Sequence, residues 1–297
     1  IDKFNAQVNA YSIYSIIPNT DNDIFLGDVV YRWKRIQNKI IKEDAFAKIP
    51  QVTQIDNFII AKSGDYWLKS DNKGYFKYNP ATNKLMPYPS INNYEGMGSK
   101  QPIIEDSKNQ IWFPGLGGIF MLLNTVTEKI TTLNINTNPA KPLADIAVST
   151  ALYEDNNGDY WIGTLNGFAK VILPGTKNVD TKVNWYYNEK NANSLNYNHV
   201  SCFLDDPANS NYLWVGTKGG GLNRLEKTTG NFLHLTLKEG LPDNVVYGLL
   251  SDDAGNIWGS TNKGIFCLNT SKKDDNNNWF FRNFTKEDGL QDNEFNT

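Results

Sequence analysis

The chain has 297 residues, 40% of them apolar and 13% aromatic, with 29 Lys and Arg against 32 Asp and Glu for a net charge of −3. That length allows a large buried core, and the balanced charge without a basic block argues against a nucleic-acid partner. No apolar run approaches the roughly 18–20 residues of a membrane span, so no direct membrane insertion is expected.

Residues 1–10 lack a strand signal. The first unit, about 11–50, predicts strands at 11–17, 23–27 and 29–36, with a weak fourth within 37–50. Unit two covers about 51–90 around DYWLKSDNKGYFKY, and unit three covers 100–135 around QIWFPGLGGIFML. After the Pro-bearing link NTNPAKPLADIA comes unit four, 147–188, with LYEDNNGDYWIGTLNGFAKVI at its centre. Unit five, 198–237, carries a two-residue insertion at 207–211 before YLWVGTKGGGLNRL, and unit six, 244–284, holds NIWGSTNKGIFCL. The tail 285–297 repeats the phrase that introduces unit six (EDGLQDNEFN beside KEGLPDNVVY), as the start of a further repeat or a closing strand. The first residue is Ile1 rather than Met, which reads as a mature or excised piece.

Six anchors, Phe25, Trp67, Trp112, Trp161, Trp214 and Trp258, follow one another at 42, 45, 49, 53 and 44 residues. Repeats of that length with four short strands each are the mark of a β-propeller. The expected fold is therefore all-β: one propeller of four-stranded antiparallel blades, six counted, with a seventh partial or shared. In each blade strands a and b flank an acidic turn, c follows a second Gly turn, and d is outermost. Asn157-Gly158 and Asn166-Gly167 provide the positive φ that tight hairpins require. A helical reading fails because Gly, Pro or Asn interrupts the apolar runs every dozen residues.

Each recurring side chain has a structural role to fill first. Asp106, Asp155 and Asp252, six residues before their anchors, should accept backbone N–H groups within their own turns. The Trp anchors should pack in blade cores with the indole N–H satisfied by backbone. DNNGD at 155–159 lacks the Gly position and the bidentate Glu of a calcium loop, and GTKGGG at 216–221 lacks the helix and Lys-Ser/Thr of a phosphate loop. Cys202 and Cys267 are expected as buried free thiols. With only His199 and His234, the chain offers little for metal or triad chemistry, so no cofactor and no metal are expected. His199, at the start of an inner strand, is the candidate for ligand contact; His234, on an outer strand, is expected at the surface.

The stretch GLPDNVVYGLLSDDAGNIWGSTNKGIFCLN (240–269) resembles the two-component regulator propeller repeat, and the same motif set recurs through units three to six. It fits unit two less well, and unit one is degraded. This resemblance implies the periplasmic sensor region of a Bacteroidetes hybrid histidine kinase. Such regions have two seven-bladed rings, then an immunoglobulin-like domain with repeated tyrosines, a membrane helix and a kinase. It implies an oligosaccharide or other small ligand as partner. A neighbouring propeller, the immunoglobulin-like domain and a second copy in a homodimer are the protein contacts it implies. GLQDNEFN stands near the last blade before the immunoglobulin-like domain in that family, and this chain stops there.

In a propeller the b–c hairpins and d–a crossovers emerge on one face, where loops on a rigid scaffold carry binding. The candidates from the b–c set are Asp28, Asp71, Asn72, Asn166, Lys218, Asn262 and Lys263. From the d–a set they are Tyr94, Met97, Tyr197, Asn198, His199 and Asn244. Asn, Asp and Lys can bond hydroxyls or acidic groups, and Tyr can stack on a sugar face. Two rival readings are a protein-interaction scaffold of an envelope or secretion assembly and an enzyme similar to the streptogramin lyases. In the second, only His199 could serve.

Overall fold

Short apolar runs joined by tight turns pair with their immediate neighbours, which makes antiparallel meanders. The computed structural model describes residues 16–18, 23–26, 31–34, 39–42, 57–70, 74–88, 102–136, 149–174, 181–273 and 279–290. Among them are six four-stranded sheets, each antiparallel and in chain order, the blades of a β-propeller. Apart from three 3-10 turns, no helix occurs among the described residues.

The chain divides into two compact units, Ile1–Leu133 and Asn134–Thr297. Unit 1 begins with β1 (Ile16–Pro18), β2 (Asp23–Leu26), β3 (Tyr31–Lys34) and β4 (Lys39–Lys42). The expected weak fourth strand thus falls at β4. The second blade is β5 (Asn57–Ile60), β6 (Tyr66–Ser70), β7 (Gly74–Asn79) and β8 (Lys84–Pro87). The third is β9 (Ile104–Glu105), β10 (Gln110–Pro114), β11 (Ile119–Asn124) and β12 (Ile130–Asn134). Unit 2 holds β13 (Ser149–Glu154), β14 (Tyr160–Thr164), β15 (Gly167–Ile172) and β16 (Lys182–Tyr186) as the fourth blade. The fifth is β17 (Val200–Asp205), β18 (Tyr212–Thr217), β19 (Leu222–Glu226) and β20 (Phe232–Leu235). The sixth is β21 (Val246–Ser251), β22 (Asn256–Thr261), β23 (Gly264–Lys273) and β24 (Trp279–Phe284).

Register puts all six anchors at one place. Phe25 pairs with Ile17 and Arg32, Trp67 with Ile59 and Lys77, and Trp161 with Tyr153 and Lys170. Trp112, Trp214 and Trp258 lie equivalently between Ile104 and Leu122, Leu204 and Arg224, and Leu250 and Cys267. Trp67, Trp112, Trp161 and Trp214 are fully buried in the blade cores.

The acidic turn does two tasks at once. Oδ1 of Asp155 accepts the N–H of Asn157 (2.9 Å) and of Asp159 (3.1 Å), as expected of an Asx turn. Its Oδ2 accepts the Trp161 indole N–H at 3.0 Å. The same indole–carboxylate bond joins Trp112 to Asp106 (2.9 Å), Trp214 to Asp206 (3.0 Å) and Trp258 to Asp252 (2.8 Å). This corrects the expectation that backbone would satisfy the indoles: strand b carries the N–H back over the turn, where the carboxylate's second oxygen is available. The fifth blade keeps the bond across its two-residue insertion, from eight residues back rather than six. Trp67 is the exception, with Ala61 six residues before it, and its Nε1 has no hydrogen-bond partner among the described residues.

The second turn is closed by the threonine at the end of strand b. The Thr164, Thr217 and Thr261 hydroxyls donate to the carbonyls of Gly167, Gly221 and Gly264. Gly167 has φ 102°, and a Cβ there would collide with the Tyr186 carbonyl, so both sterics and conformation require glycine. GTKGGG is the wider b–c hairpin expected. In unit 2 the glycine before that threonine receives the next blade: a Cβ on Gly163 would stand 3.0 Å from Val200 Cγ1, and one on Gly216 3.0 Å from Val246 Cγ1.

The likeness between 285–297 and the lead-in to unit six extends to geometry as far as it is described. Thr236 with Glu239 and Thr285 with Asp288 form matching capping boxes, closed by left-handed Gly240 and Gly289. Cys202 and Cys267 are free and half-buried, and burial is the main cause that pushes the Cys202 thiol up to about 12.

Candidate functional site

Loops can present a binding surface only where backbone groups hold them still. Around the b–c hairpins of unit 2 they are held by the d–a crossovers. The crossover from β16 to β17 accepts from one hairpin at Asn198, whose carbonyl bonds Gly167 N–H at 2.7 Å. One residue later, the His199 carbonyl accepts Lys218 N–H at 2.8 Å from the next hairpin. The Asn196 side chain donates to the Gly220 carbonyl at 2.7 Å. The crossover from β20 to β21 repeats the device, with the Asn244 carbonyl accepting Gly219 N–H (3.1 Å) and Gly221 N–H (2.7 Å).

Three of the candidate ligand groups also hold the loops through their side chains. Asn198 Oδ1 accepts Asn188 N–H at 2.7 Å, and Asn244 Oδ1 accepts Leu237 N–H at 3.1 Å. Asn262 Oδ1 accepts the Tyr247 hydroxyl at 2.8 Å, while its amide donates to Asp243 at 3.4 Å. Asn166 donates its backbone N–H to the Thr164 hydroxyl inside its hairpin.

Other side chains are left facing outward on this platform. The Tyr197 ring packs over Gly219, whose added Cβ would lie 2.8 Å from Tyr197 Cζ, yet the residue stays 45% exposed. Lys218 Nζ stands 5.2 Å from the centre of the Tyr247 ring, a cation–π distance. His199 is half-buried; burial, reinforced by the charge of Lys218, lowers its pKa and keeps the imidazole neutral at pH 7. Lys263 is exposed at the tip of the last hairpin. Asp28, Asp71, Asn72, Tyr94 and Met97 lie outside the described residues.

His234 is not the surface residue its outer strand suggested. It is half-buried, with Nδ1 2.8 Å from Asn223 Oδ1 and Nε2 3.2 Å from the Ala192 carbonyl, so it ties β20 to the long crossover. Tyr247, absent from the candidates, occupies the register position of Thr150 and Ser201. Those two donate to the carbonyls of Val200 and Val246 on the next blade, whereas the larger Tyr247 reaches the hairpin of its own blade. Alignment of the inner strands, with Tyr in a Thr/Ser column, was the available signal.

Comparison with known proteins agrees with this architecture. The family model described as two component regulator propeller matches residues 142–166 and 240–263. Over 80 residues, the chain is 31% identical to histidine kinase P4 of Formosa agariphila, a match covering 27% of this chain and 6% of the kinase. PorZ, described as an essential surface component of the type-IX secretion system of Porphyromonas gingivalis, superposes with TM-score 0.62 at 16% identity. That match covers 91% of this chain and 46% of the other. A streptogramin B lyase superposes with TM-score 0.62 at 14% identity, over 92% of this chain and 83% of the lyase. At these identities the solved structures share the fold. The chain spans less than half the length of PorZ and a small fraction of the kinase.

Proposed function

We propose that this chain, which carries the two-component regulator propeller repeat, is the ligand-sensing part of a periplasmic sensor. It binds an oligosaccharide without turning it over, and it passes the signal, through a neighbouring propeller, an immunoglobulin-like domain and a dimer, to a histidine kinase in the parent protein. The observation that carries this reading is the division of labour on the loop face of unit 2. Asparagines and backbone groups fix the hairpins, while Tyr197, His199, Lys218 and Lys263 present an aromatic face, a neutral imidazole and two ammonium groups. Such a set stacks on a sugar ring and bonds its hydroxyl or acidic substituents, and a fixed platform reduces the ordering cost of binding.

Calorimetric titration with neutral and acidic oligosaccharides tests it, with chromatography of the mixture for products. Saturable binding with intact ligand is expected, and Tyr197→Ala and Lys218→Ala should each weaken it by about tenfold or more, near 1.4 kcal/mol. Released product would replace this reading with an enzyme, and His199→Ala would then identify the reacting group. Unchanged affinity in both variants would remove the face from consideration. A stoichiometric protein partner with no glycan bound would favour the scaffold reading.

A further inference from the structure

The turn side of unit 1 holds a cavity whose lining shares no residue with the loop-face candidates. It measures about 290 Å³ and is lined among others by Lys62, Asp65, Trp67, Lys77, Glu105 and Thr125. Its origin is clear from the corresponding corner between the fourth and fifth blades. There Asp155 Oδ2 holds the Trp161 N–H at 3.0 Å and the Lys227 ammonium at 2.8 Å, and Lys227 also bonds Asp205 Oδ1 at 2.6 Å.

Four features place the two corners in register. Asn156 N–H donates to Asp205 Oδ2 at 2.7 Å, as Lys62 N–H donates to Glu105 Oε2 at 2.5 Å. The Lys227 N–H donates to the Asn211 carbonyl, as the Thr125 N–H donates to the Asn109 carbonyl, both at 2.9 Å. Asp159 pairs with Lys170 at 2.8 Å, as Asp65 pairs with Lys77 at 2.9 Å. Trp161 and Trp67 hold the same place between strands a and c. Ala61 stands where the other corner has Asp155, and Thr125 where it has Lys227; Glu105 replaces Asp205, and Lys62 replaces Asn156, its ammonium donating to the Asp106 carbonyl at 2.6 Å. The cavity, bordered by Trp67 and Thr125, thus lies beside the position of that contact ion pair. Trp67, 1% exposed, keeps an indole N–H with no acceptor among the described residues, and Glu105 keeps a carboxylate placed as Asp205 is.

We infer that this cavity binds a small zwitterion, an α-amino acid, whose carboxylate takes the place of the Asp155 side chain against Trp67 Nε1–H and whose ammonium takes the place of Lys227 against Glu105. One molecule bearing both charged groups on a single carbon reproduces the contact pair of the sibling corner. The lining itself is charge-balanced, with Lys62 and Lys77 against Asp65 and Glu105, which suits a zwitterion better than an anion or a cation alone. The volume leaves room for a side chain beyond the two charged groups.

Calorimetry and thermal-shift measurements on the whole chain test this with glycine, alanine, serine and aspartate, beside N-acetylglycine, glycinamide and glycerol. At least one free amino acid should bind saturably and raise Tm, with both blocked forms and the polyol at least tenfold weaker. The variant Ala61→Asp/Thr125→Lys rebuilds the internal pair and should remain folded while losing binding. Should that double variant not fold, Glu105→Gln gives the second reading, a drop in affinity of tenfold or more. Tyr197→Ala and Lys218→Ala should leave amino-acid binding untouched, which separates this site from the loop face. No binding by any free amino acid, equal binding of the blocked forms, or unchanged affinity in a folded double variant or in Glu105→Gln would each overturn the inference.

Discussion

The corner between the second and third blades and the corner between the fourth and fifth have the same backbone, the same buried tryptophan and the same flanking Asp–Lys pair, yet opposite interiors. In the latter, Asp155, Asp205, Lys227, Trp161 and the Tyr153 hydroxyl, which accepts Asp205 N–H at 3.1 Å, satisfy one another across the blade boundary. In the former, the counterparts of Asp155 and Lys227 are absent together, and Lys62 stands where the latter has Asn156, its ammonium donating to the Asp106 carbonyl at 2.6 Å. A buried charge is tolerated only when its counterpart and its hydrogen bonds come with it. Replacing both partners by uncharged residues leaves one orphaned donor and no lone member of the pair; removal of either alone would leave an uncompensated ion. The paired replacement is what makes the open corner compatible with a stable fold.

That argument makes its largest claim on Asp155→Ala. Alone it leaves the Lys227 ammonium, with a 5% exposed side chain, leaning on Asp205 only, and it strips the Trp161 indole of its acceptor. A loss of about 3–5 kcal/mol is expected in urea denaturation. Asp155→Ala/Lys227→Thr, which copies the two charge-removing differences of the open corner, should be less damaged than the single variant despite carrying one more substitution. If the double variant is the less stable of the two, the corners are not equivalent.

A smaller effect distinguishes the two indoles. Trp161→Phe and Trp67→Phe remove similar packing area, since both rings are buried, but only the first removes a hydrogen bond to an ionised carboxylate. Trp161→Phe should therefore be the more costly by about 1–3 kcal/mol. Equal losses would mean that Trp67 Nε1 has an acceptor after all.

Much of this was legible in the chain and some was not. The blade count among described residues, the strand order and the anchors follow from the spacing of Phe25 and the five tryptophans, because a hairpin meander is decided by local turn chemistry. The Asp-to-Trp offset of six was visible too, and FIIAKSG displays Ala61 at that offset; what was missing was the knowledge that the carboxylate serves the indole. Asp206 escaped the pattern because the insertion moves it to eight residues before Trp214. At the loop face the composition of the turns pointed to Asn198, Asn244 and Asn262, but an asparagine in a loop can hold the loop or meet a ligand. What each one holds is seen only in the contacts it makes in the fold. Those of His234 with Asn223 and of Lys227 with Asp155 span 11 and 72 residues, and no local pattern announces them.

Acid should reveal the corner charges with the smallest effect. Burial works against the ionised form of Asp155, but the hydrogen bonds from Lys227 and Trp161 outweigh it and hold its pKa below the ordinary 3.8. Asp65 in the open corner is also held below 3.8, against its burial, by Lys77, Ser63 and Asn79. A carboxylate with a depressed folded pKa binds its proton more weakly folded than unfolded, so its contribution is complete above the unfolded value and is lost as pH falls through the folded one. Stability measured by urea midpoint should therefore decline as pH drops below about 4 and keep declining as these groups protonate. Asp155→Ala should show a shallower decline over that window, since Asp155 no longer contributes while Asp65 still does. An identical slope in wild type and variant would mean that Asp155 is not the ionised centre of its corner, and the contrast between the two corners would then have to be drawn from packing alone.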